Sequence, residues 1–260
     1  RDFVLPRATP PVAALLEQAL RPDPDARRLL DPLVRLAFVS DPAERQLGLF
    51  WIHWGLGDEQ GCADALAALP EEGASLPSAV AARLAFLLDA GRAQEARALL
   101  ASPAVASLPE WQRELWQAKL LLAVRDFEQA GRALERLAKR NPHLSEALAL
   151  RGVLAMQCER PGEALLHFRA SLAANPAQPL ALEGIVDISL AGRQPVQALA
   201  HLRRLVRVVS PCQPRVQAAF LEKLSTSGTA GGAAELRERL RRQAPWDRSN
   251  RRELALLHLQ

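Results

Sequence analysis

The chain has 260 residues, 49% hydrophobic and 24% charged, which excludes intrinsic disorder as its overall state. Ala and Leu are abundant, β-branched residues are sparse and Tyr is absent, so helix is favoured. The net charge of +4 is uneven: from His201 to Gln260 eleven Arg and one Lys face five acidic residues, and the rest is mildly acidic.

Cys62, Cys158 and Cys212 are an odd number with no close spacing. That argues against a disulfide framework or a CxxC metal site and favours a reducing compartment. The most apolar run, Gln46 to Gly57, is shorter than the roughly 20 residues a membrane helix needs. No signal-peptide pattern opens the chain. It starts at Arg1 and its sole Met is Met156. The expectation is therefore a fragment or processed chain, with room upstream for a signal or anchor.

Taken in order, residues 1–8 read as an irregular lead-in. Thr9 can N-cap a helix carrying Pro10 and Pro11 in its first turn, ending near Leu20. Pro22 and Pro24 break it, and Asp25 caps a second helix that Pro32 should kink or split. Residues 1–42 thus form an N-terminal helical cap or a degenerate repeat.

From Ala43 the chain repeats with a period of 34. One column holds small residues: Cys62, Ala96, Ala130, Ala164, Ala198 and Gly232. Four residues later a column is large and apolar: Leu66, Leu100, Leu134, Phe168, Leu202 and Leu236. A third, in the first helix of each unit, reads Trp54, Leu88, Leu122, Met156, Leu190 and Leu224. A small residue lets two helices approach closely, and a large one a turn later fills the space beside the contact. The units are 43–76, 77–110, 111–144, 145–178, 179–212 and 213–246, with a capping helix at 247–260. Gly91, Asp126, Arg160 and Gly192 fall in the turns between helices. Pro161 and Pro195 start second helices, and Asn141-Pro142 and Asn175-Pro176 close their units.

These residues carry a resemblance to the tetratricopeptide repeat (TPR) family. The unit at Ser145 supplies the family's small residue, Ala, aromatic and Pro as Gly152, Ala164, Phe168 and Pro176. The unit at Trp111 supplies Ala118, Ala130, Leu134 and Pro142. The match spans about residues 43–246 and is sharpest from 77 to 212. It departs where the family's first-helix aromatic is replaced by Leu121, Ala155 and Ser189, and where Pro shifts or is lost in the outer units. The resemblance implies an all-α, TPR-like α-solenoid, a right-handed superhelix of helix-turn-helix repeats. It also implies a non-enzymatic scaffold without cofactor.

Candidate chemistry is sparse. Ser225 to Gly232 (STSGTAGG) precedes a helix, where free N–H groups could hold phosphate. Ala233 and Ala234 stand where a P-loop needs Lys and Ser or Thr, so a turn is preferred. His167 and His201 share a column, but equivalent helices about 10 Å apart are too distant for one metal ion. No HExxH or GxSxG occurs, and no motif places a His beside Cys158. Phe50, Trp51 and Trp54, and Trp111 with Trp116, are core or a partner hot spot. Arg203, Arg204 and Arg207 suit a solvated face, an acidic partner, an anionic membrane or nucleic acid. Aromatic platforms and known nucleic-acid motifs are absent.

In TPR domains the first helices line a concave groove. The resemblance transfers that groove to Gln112, Leu115, Lys119 and Leu122; Glu146, Ala149, Val153 and Met156; and Leu180, Glu183, Asp187 and Leu190. The bland alternative for Leu122, Met156 and Leu190 is interhelical core. The Lys/Asn clamp that grips chaperone C-termini is not matched by Leu115, Lys119, Ala149, Val153, Glu183 and Asp187. The expected ligand is an amphipathic helix or apolar segment of another protein. The setting expected is a bacterial membrane-associated assembly, such as Pel-type exopolysaccharide synthesis and secretion. The location expected is cytoplasmic, tethered or not to the inner membrane, with the periplasm left open. The competing reading is nucleic-acid or anionic-membrane binding through the basic C-terminal helices.

Overall fold

The computed structural model describes residues 39–56 and 58–208, and every regular element among them is a helix. Those from 74 to 208 form an all-α, TPR-like α-solenoid. Residues 1–38, with the two helices expected there, lie outside the described residues. So do the unit at 213–246, its STSGTAGG stretch and the capping helix at 247–260. Chain contacts divide the molecule between Gly73 and Ala74 into two compact units.

In the first unit, α1 (Pro42–Leu56) packs on α2 (Glu59–Ala67), and a short α3 (Glu71–Ala74) follows. Asp41 accepts from the Ala43 N–H at 3.0 Å at the start of α1. Asp58 N-caps α2 by accepting from the Gly61 N–H at 2.9 Å, satisfying one of the orphan donors of the first turn. Phe50, Leu47, Cys62 and Leu66 are buried. Ala43 lies so close to Gly73 that a Cβ on that glycine would fall 2.5 Å from its methyl.

The second unit contains four helix pairs: α4 (Pro77–Asp89) with α5 (Ala93–Leu100), α6 (Glu110–Ala123) with α7 (Phe127–Arg140), α8 (Ser145–Gln157) with α9 (Pro161–Ala174), and α10 (Pro179–Ala191) with α11 (Pro195–Val208). Each pair is joined by the same turn. In the α6–α7 turn the Asp126 N–H donates to Leu121 C=O at 2.9 Å and the Arg125 N–H to Leu122 C=O at 3.1 Å. The pattern recurs for Arg92 and Gly91, Arg160 and Glu159, and Gln194 and Arg193. This is the Schellman arrangement, which satisfies the last carbonyls of a helix through one residue in left-handed conformation. That residue is Gly91, Arg125, Glu159 or Arg193, with φ of 70°, 60°, 58° and 54°. The turns expected at Asp126, Arg160 and Gly192 are thus pivoted one residue away. In the first two turns the expected residue N-caps the next helix, and Asp126 accepts from the Gln129 N–H at 3.1 Å.

The small column lies within the core. Ala96, Ala130, Ala164 and Ala198 have no exposed surface, and Leu134, Phe168 and Leu202 are buried beside them. Asn141 and Asn175 C-cap α7 and α9 outside helical geometry, as a following Pro requires. The unit at 77–110 departs from the regular repeat. Its second helix, α5, has 8 residues where α7 and α9 have 14 each. Pro103 cannot continue the helical hydrogen bonds, and the Ser102 hydroxyl bonds the Leu99 carbonyl at 2.7 Å. A 3-10 turn at Pro103–Ser107 follows, and buried Val105 and Leu108 fill the core the missing turns would have filled.

Candidate partner-binding groove

The first helices α6, α8 and α10 lie side by side in sequence order. Their contact is marked by an ion pair: Lys119 Nζ of α6 is 2.6 Å from Glu146 Oε1 of α8. The same ammonium sits 4.1 Å from the centre of the Trp116 ring. Successive units therefore present these helices as one strip, with Lys119 held at its α6 edge.

The nine groove candidates divide by burial. Leu115, Leu122 and Ala149 are interior, with exposures of 3%, 5% and 0%. Leu115 and Leu122 belong to the core shared by α6, α7 and α8, and Ala149 to the core shared by α8, α9 and α10. The reason is geometric: this side of a first helix is the side on which the next unit stacks. Lys119, Val153, Met156, Glu183, Asp187 and Leu190 keep part of their surface. Val153 and Met156 also pack against the Ala149 cluster, so the apolar surface of α8 on this strip is narrower than its sequence pattern predicts. Gln112, Glu146 and Leu180 are half-buried beside them.

The aromatic candidates also divide. Phe50 is fully buried, with the Trp51 ring 4.9 Å and the Trp54 ring 5.6 Å away, and Trp51 is half exposed. Trp116 packs on the core beside α4 and α5, whereas Trp111 is exposed. Cys158 C-caps α8 and is half-buried. His167 is 3.5 Å from Glu163 on its own helix. Burial, and then the charge of Arg151, holds its pKa below the ordinary 6.5. No group of three or more His, Cys, Asp or Glu among the described residues could hold a metal ion. No helix among them is long and apolar enough to cross a membrane. Of the basic trio, Arg204 donates to the Pro176 carbonyl at 2.9 Å. The side chains of Arg203 and Arg207 lie outside the description.

One feature had no motif to announce it. A cavity of about 660 Å³ opens between the second helices α9 and α11, with α10 at its base. Its apolar wall includes Leu165, Leu172, Ile185 and Ile188, and Arg169, His201 and Arg204 also line it. A trace existed in the sequence. Apart from Glu183, Asp187 and Ser189, helix α10 carries no polar side chain from Leu180 to Leu190, so more than one face must meet other helices.

No family model matches the chain, and no curated protein does. Among solved structures, PilF of Pseudomonas aeruginosa is similar at 18% identity, covering 83% of this chain and 97% of its own, with a TM-score of 0.46. A MamA RS-1 double mutant is similar at 14% identity over 69% of this chain and 98% of its own, with a TM-score of 0.40. Another MamA mutant gives 16% identity, 68% and 98% coverage and a TM-score of 0.37. The fold description rests on the helix packing itself.

Proposed function

We propose that this protein is a non-enzymatic scaffold that holds a segment of another protein along the strip formed by α6, α8 and α10. The observation that carries the reading is the alignment of first helices across the Lys119–Glu146 contact. It places Lys119, Val153, Met156, Glu183, Asp187 and Leu190 on neighbouring helices with part of their surface accessible. Apolar side chains edged by charge suit an amphipathic helix or apolar segment, whose polar side would meet the charges. The units at 43–76, 77–110, 111–144, 145–178 and 179–212 are proposed as repeats, and 111–144, 145–178 and 179–212 as the ones whose first helices build this surface. The setting proposed is a bacterial membrane-associated assembly of the exopolysaccharide synthesis and secretion kind. What supports that setting is the family resemblance in the sequence.

Val153→Arg tests the groove. The long Arg stem can lie along the helix while its charge reaches water, so the thermal midpoint should change little. Affinity capture from the native source should recover a protein partner with the wild type and lose it with the variant. A large fall in midpoint would make Val153 core; unchanged capture would move the site elsewhere. Recovery of nucleic acid that weakens steeply with salt would transfer the function to the basic helices.

A further inference from the structure

Outside the proposed groove, the cavity between α9, α10 and α11 combines three features. Leu165, Leu172, Ile185 and Ile188 line it, it is open to solvent on one side, and its volume of about 660 Å³ lies within the roughly 300–1,000 Å³ typical of small-ligand sites. Two guanidiniums, Arg169 and Arg204, line it, and no acidic side chain does. Arg169 makes no ion pair among the described residues, and Arg204 spends one N–H on the Pro176 carbonyl. A third polar side chain borders the same space. His201 lines the cavity, and its Nδ1 is shielded from solvent with no hydrogen-bond partner among the described residues.

We propose that this cavity binds a small amphiphile with an apolar body and a carboxylate head. The body lies on the Leu and Ile wall. The head sits between Arg169 and Arg204, where a carboxylate can accept charge-assisted hydrogen bonds that neither an alcohol nor an ammonium can match. The cavity is lined by residues of α9, α10 and α11, and none of the proposed groove residues is among them.

Isothermal titration of the whole chain with octanoate, 1-octanol and acetate reads each part separately. Octanoate should saturate one site. Octanol, which lacks the charge, and acetate, which lacks the body, should each bind about tenfold more weakly or worse. Arg169→Ala should weaken octanoate about tenfold, and Ala173→Trp, which fills the mouth, should abolish it. Both positions are exposed, so both variants should keep the wild-type thermal midpoint. Val153→Arg should bind octanoate like the wild type, which separates failure here from failure of the groove. The proposal is overturned if octanoate does not saturate, if octanol matches it, or if neither cavity variant changes it. It is also overturned if an acetylated tripeptide ending in a free leucine carboxylate saturates the site and octanoate does not, since the site would then read a chain terminus.

Discussion

Phe168 shows how much a single side chain organises. Its ring is buried at 1% exposure, and glycines of two first helices face it. A Cβ on Gly152 would sit 2.5 Å from its Cε1, and one on Gly184 would overlap the ring from α10. Gly152 is one of the residues that carry the TPR resemblance, whereas Gly184 carries no motif. Alanine in a helix interior gains up to about 1 kcal/mol over glycine, but overpacking costs about 1–3 kcal/mol. Gly184→Ala should therefore lower the stability measured by urea unfolding, against its propensity. Phe168→Leu in that background should restore part of the loss. Unchanged stability in Gly184→Ala would mean that the ring has room to move.

At the scale of the element, the interhelical turn is a repeated device with unequal residues. All four turns need one left-handed residue, and three use Arg125, Glu159 and Arg193 in place of glycine. Left-handed backbone costs a residue with a Cβ roughly 1–2 kcal/mol, partly offset by the greater unfolded freedom of glycine. Glu159 is exposed, so its replacement changes little else. Glu159→Gly should gain about 0.5–1 kcal/mol, and Gly91→Ala should lose about 1 kcal/mol. Thermal melts of the two variants should thus move in opposite directions. Movement in the same direction would show that the turns are governed by contacts other than backbone conformation.

For the whole molecule, the two histidines of α9 and α11 set a dependence on pH. Burial is the leading cause that lowers both pKa values, followed by Arg151 for His167 and by Arg204 and Arg169 for His201. An unfolded chain then binds more protons than the folded one around the ordinary value of 6.5. The stabilisation is fully present above that value and is lost as pH falls through it toward the folded pKa values. Chemical denaturation at a series of pH values from above 7 to below 6 should show falling stability. The double variant His167→Gln/His201→Gln should flatten that slope; an unchanged slope would assign it to other groups. Asp58 acts lower, because the Gly61 N–H, aided by His53, holds its carboxyl below the ordinary 3.8. Its contribution is present above that value and lost as pH falls below it.

The sequence by itself determined the repeat. A helix spaces its contacts by local geometry, so the column of Ala96, Ala130, Ala164 and Ala198 could be read as close helix contact without coordinates, and all four are fully buried. The prolines and Asn-Pro pairs that bound the helices act through their own backbone, and they too were legible. Packing between units decided the rest. Ala149 and Val153 lie one turn apart on α8, yet one is interior and the other partly exposed, because the neighbouring helix covers only one of them. Arg125 and Glu159 carry no left-handed signature; the Schellman hydrogen bonds impose it. The cavity beside His201 is a gap among three helices, set by how side chains from α9, α10 and α11 fail to fill the space between them. No local pattern encodes such a gap, since it is a property of distances between segments far apart along the chain.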